Sequence, residues 1–248
     1  MARRQAIRRL ILFLLVLLFP VVLNYYSPYL IIQASSEGVA NFPVFLWSTW
    51  AISSLFLGRL GCAWICPLGG AQMLTYDAAG KALKRIRGLR WIKRVLAILW
   101  VRAIVYVAVF AGGYKSINLL YNTEGGISVD SAPSLIMALT IVAVPIIPAF
   151  ILGRRAFCHY FCPFGVLNAV GTWISRRLRI PHLHLSANTP QCIHCGRCSD
   201  ACPMSLPVRE MVKSGDMADA DCILCASCVD TRPKDVIGYA FGREEPKA

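Results

Sequence analysis

Charged side chains are scarce in this sequence, and acidic ones most of all. Of the 248 residues 16% are charged, with 13 Asp or Glu against 26 Lys or Arg, so the formal net charge is +13. Soluble domains carry about 25% charged residues, which argues against an ordinary soluble enzyme, and the 56% of hydrophobic residues excludes a disordered chain. The sequence also lacks a G-x-G-x-x-G loop, a Walker loop, a nucleophile elbow and a C-x-x-C-H haem site. We therefore assign no catalytic residue.

Long apolar runs take the place of the missing charges. They cover residues 10–32, 42–57, 95–113 and 133–152. A helix that spans a membrane needs about 20 mostly apolar residues, so the runs predict a domain of four transmembrane helices over residues 1–180. The second run is short, and Pro145 and Pro148 predict a kink in the fourth.

Basic residues lie on one side of these predicted helices. They occupy the N-terminus, the segment between the second and third runs, and the segment after the fourth, whereas the other two connections contain only Lys115. The positive-inside rule then predicts an inner-membrane protein with both termini in the cytoplasm. We interpret the basic surface as a contact with anionic lipid and predict no nucleic-acid partner.

The eleven cysteines fall on this cytoplasmic side, where thiols more often bind metal than form disulfides. Seven of them make two runs near the C-terminus, and the first run has the C-x2-C-x2-C-x3-C-P spacing of bacterial ferredoxins. The spacing predicts a small α+β two-cluster ferredoxin domain over residues 189–248, after a linker at 181–188. Zinc is the alternative for such pairs. The two runs are Cys192, Cys195, Cys198 and Cys202, and then Cys222, Cys225 and Cys228.

The second run departs from the ferredoxin pattern at Arg232, where a fourth cysteine would stand. In the crossed ferredoxin arrangement Cys202 joins Cys222, Cys225 and Cys228 around one 4Fe–4S cluster. The cluster of Cys192, Cys195 and Cys198 then lacks its usual fourth ligand, since arginine is a poor one. That centre could be 3Fe–4S, could be 4Fe–4S with an open iron, or could be absent. It could also take His194, Asp200, Asp230 or another cysteine as a ligand.

A second pattern is an internal repeat. The motif R-x2-C-x3-C-P-x-G begins at Arg59 and again at Arg155, 96 residues later. Residues four apart share a helix face, so each copy could direct two thiols to one centre, and two copies supply enough for a further cluster. The alternative is that these cysteines simply pack the helix ends. The four thiols are Cys62, Cys66, Cys158 and Cys162.

Two further residues are candidates for a quinone contact or for tuning a redox centre. Arg102 lies inside the third apolar run, where a charge is a functional candidate by default, although it could snorkel to the surface. His159 lies between Cys158 and Cys162. Arg232 is a third tuning candidate, through its positive charge.

These motifs together resemble the NapH-type membrane ferredoxins, within a wider group that includes NosR-like proteins. The resemblance extends over nearly the whole chain. It implies an electron-transfer subunit that links the quinone pool to other redox subunits, such as an iron–sulfur protein, a cytochrome or a reductase. Quinone or quinol would be the substrate, and membrane lipid a further contact. The alternatives are a redox-sensing or maturation protein that uses clusters, and a zinc-stabilised membrane interaction protein.

Overall fold

The computed structural model describes residues 3–79, 83, 86–89, 91–129, 132–231 and 236–243. The part before residue 180 is helical. Its helices are α1 (Arg3–Leu17), α2 (Phe19–Tyr26), α3 (Pro28–Ser36), α4 (Phe42–Leu57), α5 (Leu60–Trp64), α6 (Pro67–Ala79), α7 (Ile92–Phe110), α8 (Ala132–Leu152), α9 (Ala156–Tyr160) and α10 (Pro163–Arg177). Two short strands, β1 (Val39–Asn41) and β2 (Ser116–Asn118), pair in parallel.

Prolines divide the first apolar run. Pro20 lies in the first turn of α2 and Pro28 in the first turn of α3, and Ser27 accepts a hydrogen bond from the Leu30 amide. Proline suits the start of a helix but removes the hydrogen bond that would continue one. The run at 10–32 therefore forms three helices, and α1 and α2 meet at an angle of 88°.

The prediction of four transmembrane helices is wrong. Among the described residues only α8 is by itself long and apolar enough to cross a membrane. The bent pair α1–α2 would be a second span only if its two helices together counted as a single span. α4 has 16 residues, and α7 carries Lys93, Arg94 and Arg102. The short second run and the charge of Arg102 were visible in the sequence, whereas the bend between α1 and α2 appears only in the structure.

The internal repeat is a repeat of three helices. α4, α5 and α6 correspond to α8, α9 and α10, and both α5 and α6 begin 96 residues before their counterparts. The two halves exchange their last helices, since α10 packs on α4 and α6 packs on α8. Each half thus completes the other around the two cysteine motifs.

The remaining residues form a small α+β unit. The strands β3 (His182–Ala187) and β4 (Ile237–Gly242) pair antiparallel, with Leu185 opposite Tyr239. The predicted linker at 181–188 thus contains a strand, because Leu185 packs into the core of this unit. Its helices are α11 (Arg197–Asp200), α12 (Val208–Ser214) and α13 (Ser227–Asp230).

Candidate metal centres

The two C-terminal cysteine runs adopt the same loop conformation. His194 and Gly196 in the first loop, and Leu224 and Ala226 in the second, all have positive φ. Such angles are uncommon for residues other than glycine. They turn each loop so that its second and third cysteines lie close to a short helix, α11 or α13. Matching strain at matching positions indicates that both loops are shaped around a group of the same size.

Four cysteines of these runs line one small buried cavity. Its other walls are apolar, with Met204, Leu206 and Ile223 among them. Burial raises the pKa of the Cys222 thiol to about 12, and that of Cys228 well above its ordinary value. The donor set and the dry walls fit a 4Fe–4S cluster, which thiolates hold and burial tunes. The four cysteines are Cys202, Cys222, Cys225 and Cys228, and we call them the buried set.

The other three cysteines lie nearer the surface. Cys192, Cys195 and Cys198, here called the exposed set, line a second small cavity. Cys195 is exposed to solvent, and the neighbouring Ile193 is 54% exposed. This centre therefore faces outward, whereas the buried set faces the helical part of the chain.

The possible fourth ligands of the exposed set differ in position. Nδ1 of His194 lies 3.6 Å from Sγ of Cys192, which keeps this histidine among the candidates. The Asp230 carboxylate instead accepts hydrogen bonds from Arg4 and Gln5. Asp200 is exposed, and its carbonyl accepts a hydrogen bond from Arg154. Arg232 lies outside the described residues.

The first turns of α1 contact the loop of the buried set. Gln5 donates to the carbonyl of Cys225 at 3.0 Å, and Arg8 donates to the Ser227 hydroxyl at 3.3 Å. Arg8 is buried. The helical part therefore places positive charge and hydrogen-bond donors beside the buried set, a contact that sequence reasoning did not anticipate.

The two repeat motifs interlock through their arginines and glycines. Arg155 donates to the carbonyl of Cys62 at 2.9 Å and passes over Gly69, where a Cβ would lie 3.3 Å from its guanidinium. Reciprocally, a Cβ on Gly165 would lie 2.9 Å from the Arg59 guanidinium. Glycine suits each motif because the arginine of the other motif lies where a side chain would be, and a larger residue would have to displace that guanidinium.

Two amide side chains also reach across, each to a thiol of the other motif. Gln72 donates to Sγ of Cys158 at 3.1 Å, and Asn168 donates to Sγ of Cys62 at 3.7 Å. These residues are 96 apart, so the motif extends to R-x2-C-x3-C-P-x-G-x2-Q/N. Sequence reasoning missed both, although the shared offset and side-chain class were visible in the sequence.

The four thiols of the repeat lie close enough together for charge on one to act on another. They are Cys62, Cys66, Cys158 and Cys162. Burial, together with the neighbouring Cys158 and Cys62 thiols, raises the pKa of the Cys66 thiol to about 12. The pKa of Cys162 is also raised by burial and then by the other three thiols. Cys66 and Cys162 therefore stay protonated at neutral pH unless a bound cation lowers their pKa.

Asp221 joins the repeat to the buried set. Its carboxylate lies 2.5 Å from Nζ of Lys93, 3.5 Å from Arg59 and 3.6 Å from Nδ1 of His159. Burial alone would raise the pKa of Asp221, but Lys93, with His159 and Arg59, holds it well below its ordinary value. His159 is thus buried in a charged network, whereas Arg102 lies exposed on α7.

The cysteine sets described above suit a cluster of several irons rather than a single metal ion. Within the part of the chain that the structure describes, no three His, Cys, Asp or Glu side chains are grouped to hold one metal ion.

Comparison with known proteins agrees with the cysteine patterns. A family described as a 4Fe–4S binding domain matches residues 40–90 and 134–181, and one described as a 4Fe–4S dicluster domain matches residues 184–233. No solved structure matches the chain. The two families define an iron–sulfur protein of the ferredoxin type.

Three similar curated proteins extend this result. The putative electron transport protein YccM of Escherichia coli is 25% identical over 73% of this chain and 51% of its own length. The regulatory protein NosR of Pseudomonas aeruginosa is 24% identical over 74% of this chain and 25% of its own length. The ferredoxin-type protein NapH of E. coli is 23% identical over 72% of this chain and 60% of its own length. The chain thus spans about half of YccM and a quarter of NosR.

The chain is similar to the NapH- and NosR-like group of ferredoxin-type proteins, as its motifs predicted. The prediction of iron–sulfur clusters and of an electron-transfer role is confirmed at this level.

Proposed function

We propose that this protein is a membrane-associated electron carrier that takes electrons from a quinol and delivers them to a separate redox protein. The observation that carries the proposal is the position of Asp221. This residue precedes Cys222 of the buried set, and its carboxylate contacts Arg59 of one repeat motif and His159 of the other. The ferredoxin unit is therefore fixed with its buried set toward the repeat.

Packing around Asp221 supports a dry route between the two parts. Ala63, within the first motif, is fully buried in the same apolar core as Cys202, Cys225 and Cys228, and Cys62 packs against that core. Bound 4Fe–4S clusters would supply one-electron transfer. The side chains hold the clusters, exclude water, and place basic groups beside them, which favours acceptance of an electron.

The exposed set supplies the outer end of the route. Cys195 and Ile193 are open to solvent, so a partner could approach this centre closely without any movement of the chain. We propose a redox protein as this partner, either an iron–sulfur protein, a cytochrome or a reductase, and no nucleic acid.

Membrane attachment is proposed through α8. Only 17% of its most apolar 18-residue stretch is buried, and the mean hydropathy there is 2.7. A lipid bilayer would cover such a surface. Arg154 and Arg155 follow α8 directly, so the positive-inside rule places the C-terminal end of α8 at the cytoplasmic face of an inner membrane.

The test is reduction of the full chain by a quinol. The protein is purified anaerobically in detergent, and EPR spectra are recorded before and after addition of duroquinol, with dithionite as the control for full reduction. We expect signals of reduced clusters with duroquinol. Signals that appear with dithionite but not with duroquinol would contradict quinol oxidation and favour a sensing or maturation role. Stoichiometric zinc in place of iron would overturn the whole proposal.

A further inference from the structure

Arg155 carries a buried positive charge that no described carboxylate neutralises. It is 1% exposed, and it donates a hydrogen bond to the carbonyl of Cys62. Its Nε and Nη2 atoms are buried without a hydrogen-bond partner, and among the described residues no carboxylate pairs with it. A buried charge is costly unless it is paired. Arg155 therefore indicates a missing anion.

The two repeat motifs present their arginines and thiols to one another. Arg155 reaches the carbonyl of Cys62 at 2.9 Å, and Gln72 and Asn168 reach Sγ of Cys158 and Sγ of Cys62. An iron–sulfur cluster with four thiolate ligands is an anion, so between these motifs it would supply the negative charge that Arg155 lacks.

We propose that the two repeat motifs hold a single iron–sulfur cluster between them, bound by Cys62, Cys66, Cys158 and Cys162. In this site Gln72 and Asn168 are positioning residues, each of which donates a hydrogen bond to a thiolate supplied by the other motif. The four thiols release their protons to solvent when the cluster binds. The inference deepens the proposed electron-transfer function and rests on it.

A shared site explains the exchange of contacts better than two separate dithiols. Each amide and each arginine reaches across to the other motif, so neither motif is complete alone. Separate disulfides would also be neutral and would leave Arg155 unpaired. The two motifs therefore form the two halves of one binding site.

The first test uses substitutions in both motifs of the full chain. Iron, acid-labile sulfide and EPR signals are measured for Cys62→Ser, Cys158→Ser and the double variant, after anaerobic purification. We expect each single variant to lose the same signal and about four irons. The double variant should lose no more than either single one. Cys222→Ser, in the buried set, is the control and should affect a different signal.

The results separate the competing arrangements. Losses that add in the double variant would show two separate centres, and unchanged iron in all variants would show none, so either result would overturn the proposal. Retained signals from the buried and exposed sets show that a variant is folded. If those signals also respond to duroquinol, the proposed function stands even where the shared cluster fails.

The second test concerns the amides. Hydrogen bonds to cluster sulfurs favour the reduced, more negative form, so Gln72→Leu and Asn168→Leu should each lower the midpoint potential of the same signal. Gln72→Asn and Asn168→Gln keep a donor and should shift the potential less. A potential that is unchanged in both leucine variants, with only stability reduced, would assign these amides a purely structural role.

Discussion

At the scale of single residues, Asp221 connects distant parts of the chain. One buried carboxylate faces Lys93 at the start of α7, Arg59 after α4 and His159 in α9. None of these four residues is near another in sequence, so their meeting depends on the tertiary fold. Removing the acid would leave two buried basic groups without their carboxylate.

Asp221→Asn should therefore destabilise the protein strongly. Breaking a buried ion pair by removing one partner costs about 3–5 kcal/mol. The free energy of unfolding in detergent, measured by denaturant titration, checks this. Asp216→Asn is the matched control because Asp216 is exposed, and its effect should stay within about 0.5 kcal/mol. Equal stability of the two variants would contradict a structural role for the Asp221 network.

Residue spacing predicts some of the site and misses the rest for a physical reason. The ferredoxin spacing predicts that each run folds as a compact loop, because its cysteines are close in sequence. The same pattern predicts that Cys202 joins the cysteines of the second run. The contacts of Gln5, Gln72 and Asp221 join segments from 86 to 220 residues apart. A single sequence contains no direct signal for such pairs, apart from the repeated offset of Gln72 and Asn168.

At the scale of elements, the exchange of α6 and α10 depends on close helix packing. α10 crosses α4 at Gly171, where a Cβ would overlap the Ser54 hydroxyl and lie 3.3 Å from the Ala51 carbonyl oxygen. Ser54 is fully buried. The sequence predicts the helical segments from their apolar runs, but the sharp bends at Leu18 and Ser27 depend on where proline begins a new helix.

Gly171→Ala should loosen the packing of α10 on α4. Overpacking of this kind costs about 1–3 kcal/mol, and thermal unfolding in detergent measures it. Gly88→Ala is the control, because a Cβ at Gly88 would meet nothing within 4 Å. Adding Ser54→Ala to Gly171→Ala should recover part of the loss by removing the overlapping hydroxyl. No recovery in the double variant would show that the backbone, and not Ser54, limits the approach.

At the scale of the whole molecule, exposed apolar side chains lie on several helices, and among the described residues α8 is the single helix long and apolar enough to span a membrane. Ile136 is 66% exposed, Leu139 61% and Ile151 72%. The ferredoxin unit has a buried apolar core of its own, and Ala63 of the repeat belongs to that core. The composition predicts contact with lipid, but it overestimates the number of spans, because α1 and α2 meet at 88°, α4 has 16 residues and α7 carries three basic residues.

Leu139→Lys tests whether α8 is the membrane-facing element. Leu139 lies in the middle of α8, where a lysine in a bilayer costs about 2.5–3.5 kcal/mol. We expect a smaller fraction of the chain to float with membranes in a density gradient. Phe241→Lys is the matched control, since Phe241 is 65% exposed on β4 of the ferredoxin unit. If both variants float equally well with membranes, α8 is not the element that attaches the chain to lipid.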